Sequence, residues 1–430
     1  SENTFTYTQN ENTPEILLTI TDGTNPVTNI TSLTYKTVTD GKGNSISGYD
    51  ITNKTGLITL FSNREITTTS TKTENWNITV TFINYNADQS KNAGKTFSGK
   101  VLIQKEEYKQ PLAEYVISQY TGTQGENGIY YHDSSLTNGA GDNSYRYAGA
   151  NPNNYVCFGS DTSPCPEDNL YRIIGVFGEN YHGANGKQLV KLIKYDYANS
   201  NLLGTDGDYA NSKTPDATYY KGSLSTINTY YWNKTTRTNT WSTSLLNKTN
   251  LNTNFINNIG TTWANKIATV TWKVGGNTYA NIKDVVPATA YQNEVVNPTS
   301  GSYSTTGETT YEAKIGLMYV SDYGFAARSS AWTTTLYNYD GYDDNNVAIK
   351  DTNWMFIGSD IWTISRIAEI SDRVFYVESI GFKTEGTHGN ISDIPVNNNG
   401  GSGVNVVFFL NSFVTYVSGS GTMSDPIIID

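Results

Sequence analysis

Two cysteines are the residues of this chain whose spacing most directly suggests a chemical bond. Cys157 and Cys165 are the only cysteines among 430 residues, and seven residues separate them. Zinc is disfavoured because this spacing, with no histidine nearby, is not one that zinc sites use. The turn-rich loop SDTSP between them can bring the two Cα atoms within bridging range. We therefore predict a disulfide and, with it, export from the cell; two buried thiols in a cytosolic protein are the alternative.

Histidine-based catalysis is not predicted. His132, His182 and His388 are far apart, none stands in a known ligand spacing, and each is expected in a loop. The HExxH and GxSxG motifs are absent. The stretch GKTFSGKV resembles a phosphate-binding loop, but it has Val101 where Ser or Thr should hold magnesium. It also precedes a predicted strand, so we reject it.

Carboxylates are the remaining groups that could perform catalysis. The chain has 40 acidic residues. Glycoside hydrolysis needs two carboxyl groups held about 5 Å or about 6.5–9.5 Å apart. Sequence cannot identify such a pair, and Glu106–Glu107 and Asp343–Asp344 are expected to be solvated surface charges. We predict no catalytic residue.

The loop NYDGYDDNN, residues 338–346, could hold a cation. It packs oxygen ligands around a glycine, as calcium loops do, although Gly341 comes too early for an EF-hand and no Glu follows. An ordinary turn rich in Asn and Asp is the alternative. Calcium is therefore the one candidate cofactor, and its candidate ligands are Asn338, Asp340, Asp343 and Asp344.

Aromatic residues crowd the same part of the sequence. Exposed rings beside Asn and Asp can stack on sugar faces, and tyrosine-rich loops also bind proteins at low entropic cost. Rings packed beneath their own loop are the alternative. The predicted ligand-binding residues here are Trp332, Tyr337, Tyr339, Tyr342 and Trp354.

The composition indicates a β-rich protein that binds neither nucleic acid nor a lipid interior. Charged residues are 16% of the chain, against about 25% in an average protein. Abundant Thr, Asn and Gly and 32 tyrosines suit strands and turns. The net charge is −11 without a basic run, which disfavours a phosphate-backbone partner. No apolar run approaches the roughly 18 residues of a membrane span. The opening SENTFTYTQN lacks the parts of a signal peptide, so we expect a mature chain.

Residues 1–106 are predicted to form an immunoglobulin-like β-sandwich. The clearest strand is WNITVTF, where Trp76, Ile78, Val80 and Phe82 would share one face. We expect Trp76 to fill the core of this sandwich. Gly- and Asn-containing turns separate similar segments, as in immunoglobulin-like domains. These segments are EILLTIT (15–21), NITSLTY (29–35), GLITLF (56–61) and GKVLIQK (99–105).

Residues 107–430 are predicted to form a larger α+β binding domain with long loops. The segment PLAEYVISQY is expected to be a short helix at the boundary. NLYRIIGVFG and QLVKLIKYD are expected to be neighbouring strands. A second helix is expected to carry Leu251, Phe255, Ile256 and Ile259 and to end at Gly260. Further strands are predicted in KIATVTWKVGG, KIGLMYVSDYG, IWTISRI, RVFYVESIGF and GVNVVFFLNSFVTYV.

The larger part of the chain resembles a group of uncharacterised surface proteins of gut Firmicutes and their relatives. The resemblance covers roughly residues 112–430, and that group has no established activity. The segments that carry it are NYVCFGSD, CPEDNLYRIIGVF, KLIKYDYA, TWSTSLLN, KIATVTWKVGG, AKIGLMYVSDYGFAA, NWMF, IWTISR and VFFLNSFVTYVSGSGTMSDPIII.

The last strands are also remotely similar to C-type-lectin-like and formylglycine-enzyme-like domains. This chain has GVNVVFFLN where those domains have GVRPV, with Asn405 and Val406 in place of Arg and Pro. The resemblance implies that the loop 381–403 joins the binding face. It adds Phe382 and Asn390 to the predicted ligand-binding residues, with His388 and Asp393 beside them.

These observations favour an extracellular bacterial cell-surface protein, an adhesin or lectin-like binder of glycan or protein without catalytic activity. One alternative is a subunit of an extracellular filament or surface layer, in which the end segments FTYTQ and DPIIID add to a neighbouring sheet. Copies of the chain would then be its partners. A glycoside hydrolase is the other alternative.

Overall fold

The chain folds into two compact units, Ser1–Tyr108 and Lys109–Asp430. It is mainly β, as predicted. The predicted boundary between residues 106 and 107 lies outside the described residues, and none of the described helices is long and apolar enough to cross a membrane. The computed structural model describes residues 2–56, 58–61, 73–101, 109–178, 180–184, 186–298, 308–379 and 388–430.

The first unit consists of short antiparallel strands. Its main sheet has β2 at the centre, paired with β6 along its whole length and with β5 and β3, while β4 pairs with β5. Ile16, Leu18 and Ile20 alternate along β2 and pack with Tyr49 and Ile51 in a small core. The strands are β1 (Glu2–Asn3), β2 (Ile16–Asp22), β3 (Asn25–Pro26), β4 (Thr34–Thr39), β5 (Ser45–Asp50), β6 (Trp76–Phe82) and β7 (Phe97–Ser98).

The strand predictions for this unit are confirmed in part. EILLTIT and WNITVTF are strands β2 and β6, and Trp76 is half-buried against the core. Within β6, the apolar side chains Ile78, Val80 and Phe82 are 37–45% exposed, so this face is not buried as a sandwich strand should be. NITSLTY is wrong for residues 29–33, since β4 begins only at Thr34. In GLITLF, the described residues 58–61 form no strand, and most of GKVLIQK lies outside the described residues.

The second unit contains several sheets. Its largest sheet has the order β18-β22-β12-β11-β9-β8, with β10 also pairing with β11. The strands are β8 (Ile129–His132), β9 (Ser144–Tyr147), β10 (Tyr155–Cys157), β11 (Leu170–Phe177), β12 (Leu189–Lys194), β13 (Tyr209–Lys213), β14 (Ile227–Tyr230), β15 (Val270–Lys273), β16 (Gly276–Asn277), β17 (Thr310–Ala313), β18 (Ile315–Gly316), β19 (Ile361–Ile367), β20 (Arg373–Glu378), β21 (Asn390–Pro395), β22 (Val407–Phe409), β23 (Tyr416–Ser418) and β24 (Ile428–Ile429).

Short helices surround these sheets. The α-helices are α1 (Leu112–Ser118), α2 (Ser200–Leu203), α3 (Ile256–Asn258), α4 (Thr261–Ala264), α5 (Tyr279–Ile282), α6 (Pro287–Tyr291) and α7 (Val320–Ala326). Two wider π-helical segments are Leu246–Phe255 and Gln292–Val296. The 3₁₀ turns are Ser90–Asn92, Glu126–Gly128, Glu167–Asn169, Asn180–His182, Trp241–Thr243, Ser329–Thr333, Leu336–Asn338 and Ile349–Asp351.

The centre of the large sheet follows directly from its sequence. NLYRIIGVFG and QLVKLIKYD supply β11 and β12, which pair antiparallel as predicted. Every residue of both strands is buried, because other elements cover both faces of the sheet. The predicted helix is α1, which packs against these strands and buries its apolar residues Leu112 and Val116. A second sheet, β16-β19-β20-β21, contains the fully buried strand IWTISRI.

The strand predicted for KIGLMYVSDYG is wrong over most of its length. KIGLMYVSDYG is a strand only at Ile315–Gly316, and helix α7 occupies Val320–Ala326. The carboxylate of Asp322 accepts a hydrogen bond from the backbone N–H of Tyr319 at 2.9 Å, which satisfies a donor at the start of the helix. This local contact outweighs the alternating pattern of apolar residues.

The second predicted helix is confirmed. The π-helical segment Leu246–Phe255 continues into α3, with Leu251 and Phe255 fully buried. Gly260 follows with a φ of 79°, a left-handed conformation that glycine adopts without strain and that ends the helix.

Of the two end segments expected to join a neighbouring sheet, FTYTQ forms no strand and DPIIID pairs within the second unit. Glu2–Asn3 pairs with Phe97–Ser98, and residues 5–9 form no strand. In DPIIID, Ile428–Ile429 pairs with β23, and Ile427 forms a bridge to Val156. The strand-addition hypothesis therefore gains no support from these two segments.

Candidate functional site

Three of the predicted ligand-binding rings lie in the core. Trp332, Tyr339 and Trp354 are 1%, 0% and 4% exposed. The indole N–H of Trp332 donates to the carbonyl of Ala327 at 3.0 Å, and that of Trp354 donates to Tyr147 at 2.9 Å. These rings belong to the core of the second unit, so the interpretation of them as an exposed platform is wrong.

The other predicted binding residues are scattered. Tyr342 is 66% exposed, and Tyr337 is half-buried with the ammonium of Lys283 4.4 Å from its ring centroid. Asn390 is buried, and its amide donates to Glu378 at 3.3 Å. Phe382 lies outside the described residues. Tyr342 is thus the exposed ring of this set in the part of the chain that the structure describes.

Most candidate ligands in the calcium loop already have hydrogen-bond partners within the protein. One oxygen of Asp343 accepts backbone N–H bonds from Asn345 at 3.0 Å and Val347 at 2.9 Å. The other oxygen lies 3.0 Å from the guanidinium of Arg328 and accepts a hydrogen bond from a serine hydroxyl.

The other candidate ligands are Asp344, Asn338 and Asp340. Asp344 accepts a hydrogen bond from Thr333, the amide of Asn338 donates one to Thr335, and Asp340 is half-buried. Among the described residues, no three His, Cys, Asp or Glu side chains are grouped to hold a metal. An Asx turn accounts for Asp343, and calcium binding stays a prediction.

The predicted disulfide is confirmed. Cys157 ends β10, and its bond to Cys165 closes the loop before β11, with the two Cα atoms 5.8 Å apart. The crosslink therefore fixes a turn-rich loop at the edge of the large sheet.

We expect the double substitution Cys157→Ser and Cys165→Ser to lower the free energy of unfolding by about 2–3 kcal/mol, because the short crosslinked loop restricts the unfolded chain. Urea unfolding with and without a reductant measures this. The reductant should shift the wild-type curve and leave the variant unchanged. A wild-type curve that does not respond to reduction would contradict the prediction.

A cleft of about 600 Å³ opens on the large sheet of the second unit. Tyr131 of β8 and Tyr145 of β9 are directly opposite each other in the register and line it. Their rings stack with centroids 4.5 Å apart and an interplanar angle of 22°. Polar side chains from other segments complete the lining, among them Glu114, Asn143, Lys187 and Gln188.

Neighbouring side chains pack against the tyrosine pair and bond to its backbone. Tyr120, just after α1, packs against both rings at centroid distances of 5.9 and 5.7 Å. The amide of Gln124 donates to the carbonyl of Tyr131 at 2.8 Å and accepts from its N–H at 2.9 Å, so a side chain satisfies the backbone of this edge strand. Both tyrosines are half-buried, and each therefore presents part of its ring to the cleft.

The opposite face of the sheet carries a buried ionic cluster. One oxygen of Asp142 accepts bonds from the guanidinium of Arg146 and the hydroxyl of Tyr291, both at 2.7 Å, and lies 3.1 Å from His182 Nε2. Burial alone would raise the pKa of Asp142, but Arg146 and the hydrogen bonds of His182 and Ser144 outweigh it and hold the pKa well below its usual value. Asp142 is therefore the buried counterion of Arg146.

Lys191 and Asp322 form a second ion pair in this cluster. Lys191 Nζ lies 2.5 Å from Asp322 Oδ2, and both side chains are buried. Gly175 stands between Arg146 and Lys191 in the register of the sheet. A Cβ on Gly175 would lie 2.1 Å from the carbonyl oxygen of Tyr145, so only glycine fits here.

Glu294 completes the cluster. Its carboxyl group accepts from the backbone N–H of Ser321 at 2.6 Å and from the hydroxyl of Ser365. Burial raises the pKa of Glu294 to about 7, although these hydrogen bonds act in the opposite direction. The cluster thus contains a carboxyl group that titrates near neutral pH.

The prediction that each histidine lies in a loop is wrong for His132. His132 lies in β8, fully buried, and its Nδ1 accepts from the N–H of Ala140 at 3.0 Å. Burial lowers the pKa of His132 to about 3, so the ring is neutral. His182 lies in a 3₁₀ turn, and burial lowers its pKa as well. Both belong to the core, while His388 precedes β21 and packs 3.8 Å from the ring of Tyr219.

No family model, curated protein or solved structure matches this chain. The resemblance to surface proteins of gut Firmicutes therefore stays a prediction, and the site must be interpreted from its own chemistry.

Sequence reasoning missed both the cleft and the cluster, although one signal was available. A charged residue inside an otherwise apolar strand, such as Lys191 in LVKLIK or Arg146 between two tyrosines, needs a buried partner. The pattern indicates that a partner exists, but it does not identify Asp142 or Asp322.

Proposed function

We propose that this chain is an exported bacterial cell-surface protein that binds glycan in the cleft lined by Tyr131 and Tyr145. The stacked tyrosine pair is the observation that carries the proposal. Two half-buried rings offer an apolar surface to the face of a sugar, and Asn143, Lys187 and Gln188 offer hydrogen bonds to its hydroxyls. The disulfide supports an oxidising compartment outside the cytosol. Native protein with two free thiols would argue against export.

The proposal is one of binding without catalysis. Glycoside hydrolysis needs two carboxyl groups on opposite sides of the bond. Of the described residues that line the cleft, Glu114 is the one with a carboxyl group. A single carboxylate supports recognition of hydroxyl groups better than it supports hydrolysis.

The proposal includes a domain type for each of the two units. We propose that the first unit is an immunoglobulin-like module, which its antiparallel strands and small apolar core support. We propose a lectin-like architecture for the second unit, in which a large antiparallel sheet presents the binding face. The binding face then lies at β8 and β9, not at the loop around Tyr342.

A glycan array tests the proposal with matched tyrosine variants. We expect Tyr131→Ala combined with Tyr145→Ala to weaken binding to the recognised glycans by about tenfold or more, since truncating a central aromatic contact commonly costs more than 1 kcal/mol. Tyr342→Ala is the control, because that ring is exposed outside the cleft, and it should bind like the wild type. Loss of binding with Tyr342→Ala alone would place the site in the loop 338–346 and overturn the proposal.

A further inference from the structure

The ion pair of Lys191 and Asp322 is almost completely shielded from solvent. Their side chains are 0% and 1% exposed, and Nζ lies 2.5 Å from Oδ2. Lys191 is in the middle of β12, while Asp322 is in the first turn of α7, 131 positions further along the chain. Burying two full charges is costly, so a pair enclosed to this degree is under pressure to become neutral.

The surroundings of the pair are aromatic. Lys191 Nζ lies over the ring of Tyr319 at 4.6 Å from its centroid. The ring centroids of Phe409, Phe177 and Trp272 lie 5.4, 5.6 and 5.6 Å from Nζ.

These surroundings affect the protonation of Lys191. Burial lowers the pKa of Lys191, although Asp322 acts in the opposite direction. Proton transfer inside the pair would give a neutral amine beside a neutral carboxyl group, and a neutral lysine amine is a nucleophile.

The groups around the carboxyl are arranged for addition at its carbon. Among the described residues, neither Asp322 Oδ1 nor Arg146 Nη1 has a hydrogen-bond partner, and the two atoms face each other at 3.8 Å. Oδ2 is fixed by the backbone N–H of Tyr319. Glu294 bonds to the neighbouring Ser321 and interacts electrostatically with both Lys191 and Asp322.

We propose that Lys191 Nζ and Asp322 Cγ join in an intramolecular amide bond. The lone pair of Nζ attacks Cγ, the N–C bond forms, and Oδ1 takes the negative charge opposite the guanidinium of Arg146. The Cγ–Oδ2 bond then breaks. Of the three hydrogens of the ammonium group, one stays on the amide nitrogen and two leave with Oδ2 as water. Neither an oxidant nor a further reactant is needed.

The bond would tie the large sheet covalently to helix α7. It encloses the segment between residues 191 and 322, and neither reduction nor a change of salt reverses it. Such a crosslink suits a protein that works outside the cell, but the inference does not depend on the proposed glycan binding.

Mass spectrometry of the reduced, denatured protein tests this inference directly. The wild-type chain should be lighter than its sequence by the mass of one water molecule. Trypsin should fail to cleave after Lys191 and should release residues 188–194 joined to residues 315–328. A wild-type chain of full mass, with the separate peptides 188–191, 192–194 and 315–328, would overturn the proposal.

A Lys191→Met variant separates the crosslink from other losses of water. Methionine has a similar length and no amine, so this variant should have the full mass of its sequence. An aspartate that cyclises on its own backbone also loses water, and that loss would persist in Lys191→Met. Persistence would therefore contradict the proposal, and the wild-type peptides decide the matter even if the variant does not fold.

Discussion

Asp142→Asn should lower the free energy of unfolding by about 3–5 kcal/mol, because it leaves the guanidinium of Arg146 buried without its counterion. Arg146 is 1% exposed, and its nearest other carboxylate is that of Asp322 at 3.8 Å. His182 and Tyr291 would also lose a charged acceptor. Denaturant unfolding followed by the fluorescence of buried tryptophans, such as Trp272, measures the change.

The matched control is Asp284→Asn. Asp284 is exposed and pairs with its neighbour Lys283 at 2.9 Å, an arrangement that contributes little to stability. The same chemical change at this position should leave the unfolding curve where it is. Equal, small effects of the two substitutions would show that the buried cluster contributes little to stability.

Glu294→Gln should change how stability depends on pH. The pKa of Glu294 is raised from 4.5 to about 7 in the folded protein. Between these values the folded state keeps a proton that the unfolded state has released, so rising pH disfavours the folded state. The wild type should therefore lose about 3 kcal/mol relative to the Gln variant between about pH 4.5 and pH 7.5.

The difference between the two proteins isolates Glu294. His132, His182 and Asp142 titrate in both, so their contributions largely cancel in the comparison. Glu167→Gln, a change at an exposed residue, serves as the control and should follow the wild-type profile. Parallel profiles for wild type and Glu294→Gln would contradict the raised pKa. Intact masses of all three proteins show whether their crosslinking is comparable.

The fold was predictable where it depends on a short-range sequence pattern. The mostly apolar runs LYRIIGVF and LVKLIK identify β11 and β12, because strands buried on both faces are apolar at most positions instead of at every second one. The cysteine spacing predicted the disulfide because a loop of that length restricts where the two sulfurs can be. These features depend on residues close together in sequence.

The site was not predictable because its partners are distant in sequence. Lys191 and Asp322 are 131 positions apart, and helix α7, which carries Asp322, was predicted to be a strand. The prediction of exposed aromatic rings at Trp332 and Trp354 was wrong for a related reason. Composition shows that Trp332 and Trp354 are present, but the direction of each ring depends on the backbone carbonyl that its N–H reaches.

Hydrogen exchange with and without a bound glycan is the sharpest test of a binding site at Tyr131 and Tyr145, because it maps the binding face in the intact protein. A glycan identified on the array should slow exchange in peptides that cover β8, β9 and residues 186–188. Peptides that cover residues 338–346 should exchange as they do in the free protein. Protection confined to residues 338–346, or no protection at β8 and β9 when the protein is saturated, would contradict a binding site at Tyr131 and Tyr145.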